Sequence, residues 1–252
     1  WRQQVFANDG DIYCASASSM FGVPVVKHGE NGHLRQKGKV AELALGYQGG
    51  VNALKAMGAL DMGLAEEELP DIVRLWREAS PRIRDLWYQV ENAAVYTVTT
   101  GNPMGLDHGI IFRLEIDPIY GYRYLTIELP SGRKLFYPGA YIKENQFGKD
   151  AVHFKAQFNN AWVDDSTYGG KLVENITQAI ARDCLAVTLR RLTMAGYPIT
   201  MHIHDEAVME IPSEDKEKTL DKVNTIFGAP IPWADGLHLS AAGFTNDYYM
   251  KD

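Results

Sequence analysis

KLVENITQAIARDCLAVTLRRLTMAGYPITMHIHDEAVMEI, residues 171–211, holds the change of hydrophobic period on which the fold turns. Leu172, Ile176, Ala179 and Val187 mark the core-facing stripe of a long helix from Lys171 to Ala195, which Gly196 closes. The period then shortens to that of strands, Ile199 to His204 and Ala207 to Ile211, joined by a tight turn that carries the acids. Another helix begins near Ser213. A long helix feeding a two-stranded hairpin makes this end of the chain α/β.

Upstream, the first half reads as helices. Asp11 is placed to cap a helix running to Phe21, with Gly22 as its stop. A second helix spans Leu34 to Leu45 and ends near Gly46, Gly49 and Gly50. Ile72, Leu75, Trp76 and Ala79 mark a third, and Ile83, Leu86, Trp87, Val90 and Ala94 a fourth after Pro81. From Thr97 to Phe158 the sequence favours strands. Ile110, Phe112, Leu114 and Ile116 alternate, and YLTIELPSGRKLFYP reads as a hairpin turned by Pro130, Ser131 and Gly132.

The 252 residues suffice for one large domain or two small ones. No apolar run approaches the roughly 20 residues that span a bilayer, and no signal peptide opens the chain. Cys14 and Cys184 lie far apart, form no metal or redox motif, and read as small core residues of a reducing cytosol. The net charge of −7 argues against a polyanionic partner. Its distribution argues the other way, because residues 27 to 39 carry Lys27, His28, His33, Arg35, Lys37 and Lys39 against the single acid Glu30. Such a stripe suits a phosphate-bearing ligand or simply a solvated helix face.

Three groups of residues carry candidate chemistry. In MHIHDEAVMEIP, residues 201–212, the neighbouring Asp205 and Glu206 repel one another unless solvated or neutralised by a cation. Hard oxygen ligands of this kind suit Mg²⁺, which takes one or two carboxylates together with substrate phosphates. A solvated hairpin turn is the plainer explanation of HDE in isolation. In LRQKGKVAELALGYQGG, residues 34–50, Arg35, Lys39, Leu43 and Tyr47 are each four apart and share a helix face. Four residues rise about 6 Å, so Arg35 and Lys39 are spaced to grip successive phosphates, helped by the nearby helix N-terminus. An amphipathic helix with cations in water fits the same spacing. In YGGKLVENITQAIARD, residues 168–183, Lys171, Asn175, Gln178 and Arg182 form a row of donors suited to groove acceptors and phosphates, or a polar helix exterior. Asp183 falls within the apolar stripe of that helix, where a structural hydrogen bond is expected.

In this order, the three groups resemble family A DNA polymerases, most closely the bacteriophage-type branch. Arg35-x3-Lys39-x7-Tyr47 looks like that family's motif B, and His204-Asp205-Glu206 like its motif C. Asp11-Ile12-Tyr13, followed by Met20-Phe21-Gly22, resembles the helix before motif B, and SGRKLFYP the hairpin between fingers and palm. The resemblance runs from about residue 9 to the C-terminus. It implies an α/β (α+β) right-hand polymerase fold: a fingers subdomain over residues 1–169 with a β-hairpin insertion, and part of an antiparallel palm sheet over residues 170–252. It also implies template-directed deoxynucleotidyl transfer to a DNA 3′ end by a two-metal mechanism with Mg²⁺, or Mn²⁺ in its place. The partners are then primer–template DNA and deoxynucleoside triphosphates, in the cytoplasm of a bacterial or phage-infected cell.

The resemblance also implies roles for single residues. Arg35 and Lys39 bind the triphosphate, and Lys39 protonates the leaving pyrophosphate. Tyr47, Leu43 and Tyr13 complete the nucleotide site. Asp205 and Glu206 hold metal, and His204 supports the primer end. Gln178 monitors the minor groove beside Asn175, Lys171 and Arg182. Leu43 stands where the family usually has an aromatic residue, Gln48 where it has glycine, Tyr13 where many members have histidine, and Glu174 where asparagine is common. The family's motif A, Asp-(Tyr/Phe)-Ser-x-x-Glu, is absent, and Asp164-Asp165-Ser166 is its nearest wording. Two-metal transfer needs carboxylates on two elements to hold ions about 3.5–4 Å apart. The 252 residues are therefore expected to be a fragment, inactive alone and missing an N-terminal part. Two alternatives remain at this point: a non-catalytic primer–template-binding module, or a metal-dependent hydrolase built on His202, His204 and Asp205. Against the latter, His202 and His204 are expected to share one strand face while Asp205 begins the turn, and no later His/Asp cluster completes a site except the isolated His238.

Overall fold

A computed structural model describes residues 1–250. After a short helix, α1 (Arg2–Ala7), the first long element is α2 (Ile12–Phe21). Asp11 caps α2 as expected, its Oδ1 accepting from the backbone amides of Tyr13 at 2.9 Å and Cys14 at 3.0 Å, and Gly22 ends it at φ 68°. Next come α3 (Leu34–Leu45), α4 (Val51–Ala56), α5 (Leu69–Ala79) and α6 (Pro81–Thr100). The α1 and α4 helices, six residues each, were not apparent from periodicity, which needs more turns to show.

The crossing of α2 and α3 is set by Gly38, which is buried. A Cβ there would lie 2.2 Å from the Tyr13 carbonyl oxygen and 3.0 Å from the Ala17 Cβ. Only a residue without a side chain lets the two backbones come this close. Gly38→Ala should therefore cost about 1–3 kcal/mol, as overpacking of a filled core does. At this chain length that lowers the melting temperature by about 3–10 °C. A thermal scan giving an unchanged midpoint would refute the close-packed crossing.

Glu42 fixes α3 on its other side. Its carboxylate accepts from Arg2 Nη2 at 2.6 Å and from the Trp76 indole at 3.0 Å. Trp76 and Trp87, almost wholly buried, stack with centroids 6.1 Å apart and join α5 to α6.

The α6 helix runs through Thr100, overriding the strand preference read from Thr97 onward. Val90, Ala93, Ala94, Thr97 and Val98 are all buried, so a helical burial period continues through the β-branched residues until Gly101. Tertiary burial outweighs local propensity here.

Two antiparallel sheets follow, with α6 packed against both. The first joins β1 (Met104–Leu106), β2 (Ile110–Ile116), β3 (Arg123–Glu128) and β4 (Lys134–Pro138) in sequence order. The anticipated hairpin is β3–β4, with Leu125 opposite Tyr137. The second joins β5 (Tyr141–Glu144), β6 (Asp150–Phe158) and β7 (Ala161–Ser166). An edge-to-face contact between Tyr137 and Phe154, 5.0 Å between centroids, links the sheets. The sequence reading stopped at Phe158 and missed β7. Its signal was Asn159-Asn160, both at positive φ (47° and 62°), which turns the chain in two residues between the paired Phe158 and Ala161.

The long helix α7 (Gly169–Met194) is followed by β8 (Ile199–Ile203), β9 (Glu206–Met209) and α8 (Lys216–Phe227). Residue contacts divide the chain into two units, Trp1–Ile176 and Thr177–Asp252, with the division inside α7. In the second unit Arg191 donates to the carbonyls of Ala229 at 2.9 Å and Pro230 at 2.6 Å, and Leu192, Val223 and Ile231 are buried. The architecture is thus mixed helix and antiparallel sheet. Cys14 and Cys184 are free and buried. No helix among the described residues is long and apolar enough to cross a membrane.

Candidate functional site

The basic face of α3 lies beside the start of α2. Arg35 Nε donates to Asp11 Oδ2 at 2.7 Å, and its guanidinium lies 5.2 Å from the centroid of the Tyr13 ring. Asp11 therefore uses one oxygen for the helix cap and the other for the arginine. Burial alone would raise the Asp11 carboxyl, but the Arg35 bond and the Cys14 and Tyr13 amides outweigh it and hold it below the ordinary carboxylate value. The carboxylate is ionised across the neutral range. Lys39 follows one turn later, half-buried and without an ion pair among the described residues. Leu43, one turn further, is 47% exposed.

Tyr47 sits just beyond α3, where the chain is held at three points. The Trp87 indole donates to the Gly46 carbonyl at 2.9 Å, and Arg77 Nη2 to the Gly49 carbonyl at 3.0 Å. Gln48 Oε1 accepts from the Gly170 amide at 2.8 Å, satisfying one of the free N–H groups at the start of α7. Gln48 has φ 66°, which gives a physical reason for glycine at this place in the polymerases the segment resembles. The close approach needs Gly170 itself, where a Cβ would fall 2.3 Å from the Tyr47 carbonyl oxygen. Burial, with the Glu174 carboxylate nearby, pushes the Tyr47 phenol above its ordinary value, so it remains a neutral hydroxyl.

The donor row on α7 is not uniform. Lys171 pairs with Asp165 at 2.9 Å, and the Asn175 amide donates to the Tyr137 hydroxyl at 2.9 Å. Both are engaged within the first unit. Gln178 and Arg182, in the second unit, are exposed. Asp183 is buried.

The β8–β9 hairpin turns at His204 and Asp205, with Ile203 opposite Glu206. Glu206 therefore opens β9 instead of sitting in the turn, because the turn needs only two residues. His204 has φ 48°, which takes it out of the strand, so it does not share a strand face with His202. His204, Asp205 and Glu206 are all exposed, and neither acid has an ion-pair partner among the described residues. Nor do three His, Cys, Asp or Glu side chains there form a metal-binding cluster, so the zinc-hydrolase alternative gains no support.

The structure thus brings Arg35 and Tyr13 together, with Lys39 on the same helix, and fixes Tyr47 at its end. Sequence reasoning missed Asp11 as the partner of Arg35 and Gln48 as the partner of Gly170. Asp11 was legible only as a cap, since its second contact spans 24 residues.

No protein-family model matches the chain. Over its whole length the chain is 52% identical to a protein of Bacillus phage SP02 named DNA polymerase. The chain is similar to part of a phage DNA polymerase. It spans 38% of that relative's length.

Proposed function

We propose that the chain is the nucleotide-binding and metal-bearing part of a family A DNA polymerase, transferring deoxynucleotides to a DNA 3′ end under the direction of a template. The observation that carries this is the 52% identity, sustained over the whole chain, to the phage protein named DNA polymerase. The Arg35–Lys39 face beside α2 and the acidic β8–β9 turn give it chemical substance.

In this reading, Arg35 and Lys39 clamp the triphosphate, and Lys39 is the donor placed to protonate the departing pyrophosphate. Tyr47, immobilised by the bonds on either side of it, lies beside the nascent base pair. Tyr13 and the exposed Leu43 border the nucleotide. Gln178 and Arg182 contact the duplex, where minor-groove acceptors fall in equivalent places for every correct pair. Lys171 and Asn175 reach it only by exchanging their present partners, and His204 supports the primer end. Asp205 and Glu206, exposed hard-oxygen donors without an ion-pair partner among the described residues, fit a divalent cation such as Mg²⁺ or Mn²⁺. When bound, such ions lower the pKa of the attacking hydroxyl and offset charge on the phosphates. The partners are primer–template DNA and deoxynucleoside triphosphates, and the setting is the cytoplasm of a bacterial or phage-infected cell.

A chimera tests the reading: residues 1–252 replace the matching stretch of the phage SP02 protein, and primer extension is followed on templates offering each base. Incorporation of the complementary deoxynucleotide is expected. A folded chimera that binds primer–template yet incorporates nothing would favour the non-catalytic DNA-binding alternative. Residues 1–252 alone, which carry no motif A wording, should bind primer–template with strong salt dependence and extend nothing.

A further inference from the structure

We propose that Asp11 is a positioning residue that aims Arg35 at a nucleotide triphosphate, an inference that rests on the reading of Arg35 given above. Both oxygens of the Asp11 carboxylate are committed. Oδ1 accepts from the Tyr13 and Cys14 amides at 2.9 and 3.0 Å, which ties its orientation to the first turn of α2. Oδ2 takes Arg35 at 2.7 Å, and the bond uses Nε. Among the described residues no protein oxygen accepts from either terminal amino group of Arg35, whose other near neighbour is the Cys14 thiol, so the two donors that suit phosphate bidentately remain available. The Tyr13 ring, 5.2 Å from the guanidinium carbon, limits the plane from one side.

Arginine is flexible, and ordering it on binding costs affinity. Here α2 orders it beforehand. Gly38 allows this, because the close crossing it permits brings the α2 cap within reach of the first turn of α3.

The experiment separates the Arg35 contact from helix capping. Asp, Asn and Ser cap helices about equally well. Asp11→Asn keeps the capping oxygen but turns an amide N–H towards Arg35 in place of the second acceptor, and Asp11→Ser keeps the cap but is too short. Both variants should melt close to the parent chain. Mg²⁺–dATP is titrated into each. Both variants are expected to bind about three- to tenfold more weakly than the parent, the scale of one side chain ordered on binding. Tighter binding by both variants would mean that the carboxylate competes with phosphate, and would overturn the proposal. Unchanged binding by Asp11→Ser, alongside weakened binding by Arg35→Ala, would overturn it while leaving the nucleotide reading intact. If Arg35→Ala also binds like the parent, the nucleotide reading itself fails, and this inference with it. A readout without nucleotide is the NMR signal of the Arg35 Nε–H. It should be protected from exchange in the parent and unprotected in both variants. An unprotected signal in the parent would overturn the proposal directly.

Discussion

Primer extension by the chimera described above should fall by about two to three orders of magnitude when Asp205 is replaced with Asn, the scale seen when one charge-stabilising group is removed from a reacting centre. Asn preserves the size of the side chain and one oxygen donor, but it removes the negative charge that would attract a divalent cation. The substitution should leave folding almost untouched. Asp205 is exposed in the two-residue turn, with no ion pair among the described residues, and surface changes of this kind usually stay within about 0.5 kcal/mol. Primer–template affinity should also survive, since the duplex contacts proposed for Gln178 and Arg182 lie on a different element. The measurement is single-turnover incorporation at saturating nucleotide, with thermal unfolding and DNA binding as controls. Retention of more than a tenth of the parent rate would remove Asp205 from the reacting centre.

Most of the helical framework was legible because its signals are local. Asp11 and Gly22 bracket α2, and Leu34 to Leu45 was read with its observed ends. The hairpin at Pro130–Gly132 and the break after Met194 were likewise visible as turn chemistry. What failed was decided by distant residues. Thr97 to Thr100 favour strand taken alone, yet burial at Thr97 and Val98 keeps them helical.

The candidate site divides in the same way. The row Arg35, Lys39, Leu43, Tyr47 follows from helical spacing, whereas the Gln48–Gly170 bond joins residues 122 apart and no local pattern announces it. Tyr168-Gly169-Gly170 shows the intermediate case. The two glycines were visible, but their purpose was not. It is the approach of α7 to the carbonyls of Trp87 and Tyr47, where added Cβ atoms would lie at 2.0 and 2.3 Å.

Arg35→Ala and Lys39→Ala should each weaken deoxynucleoside triphosphate binding by about 1.5–3 kcal/mol, the value of a charge-assisted hydrogen bond. That corresponds to about a 10- to 150-fold rise in dissociation constant. The two losses differ in their side effects. Lys39 has no ion-pair partner among the described residues, so its removal should subtract from ligand binding and little else. Arg35 is also the partner of Asp11, with side chains 25% and 30% exposed, so its removal leaves a partly buried carboxylate unpaired at the cap of α2. The Asp11 carboxyl, now held below its ordinary value, should rise towards it in Arg35→Ala. A depressed carboxyl contributes stability that is present above its unfolded-state value and lost as pH falls through the folded one. The Arg35 variant should therefore lose that contribution at neutral pH, and the difference from the parent should shrink in acid. Lys39→Ala should track the parent at every pH. Titration at low and moderate salt adds a further check, since a contact to an exposed polyanion weakens as screening rises. Nucleotide affinity unchanged in both variants would remove the triphosphate from α3 altogether, and an effect confined to Arg35→Ala would leave Lys39 a solvated cation on a helix face.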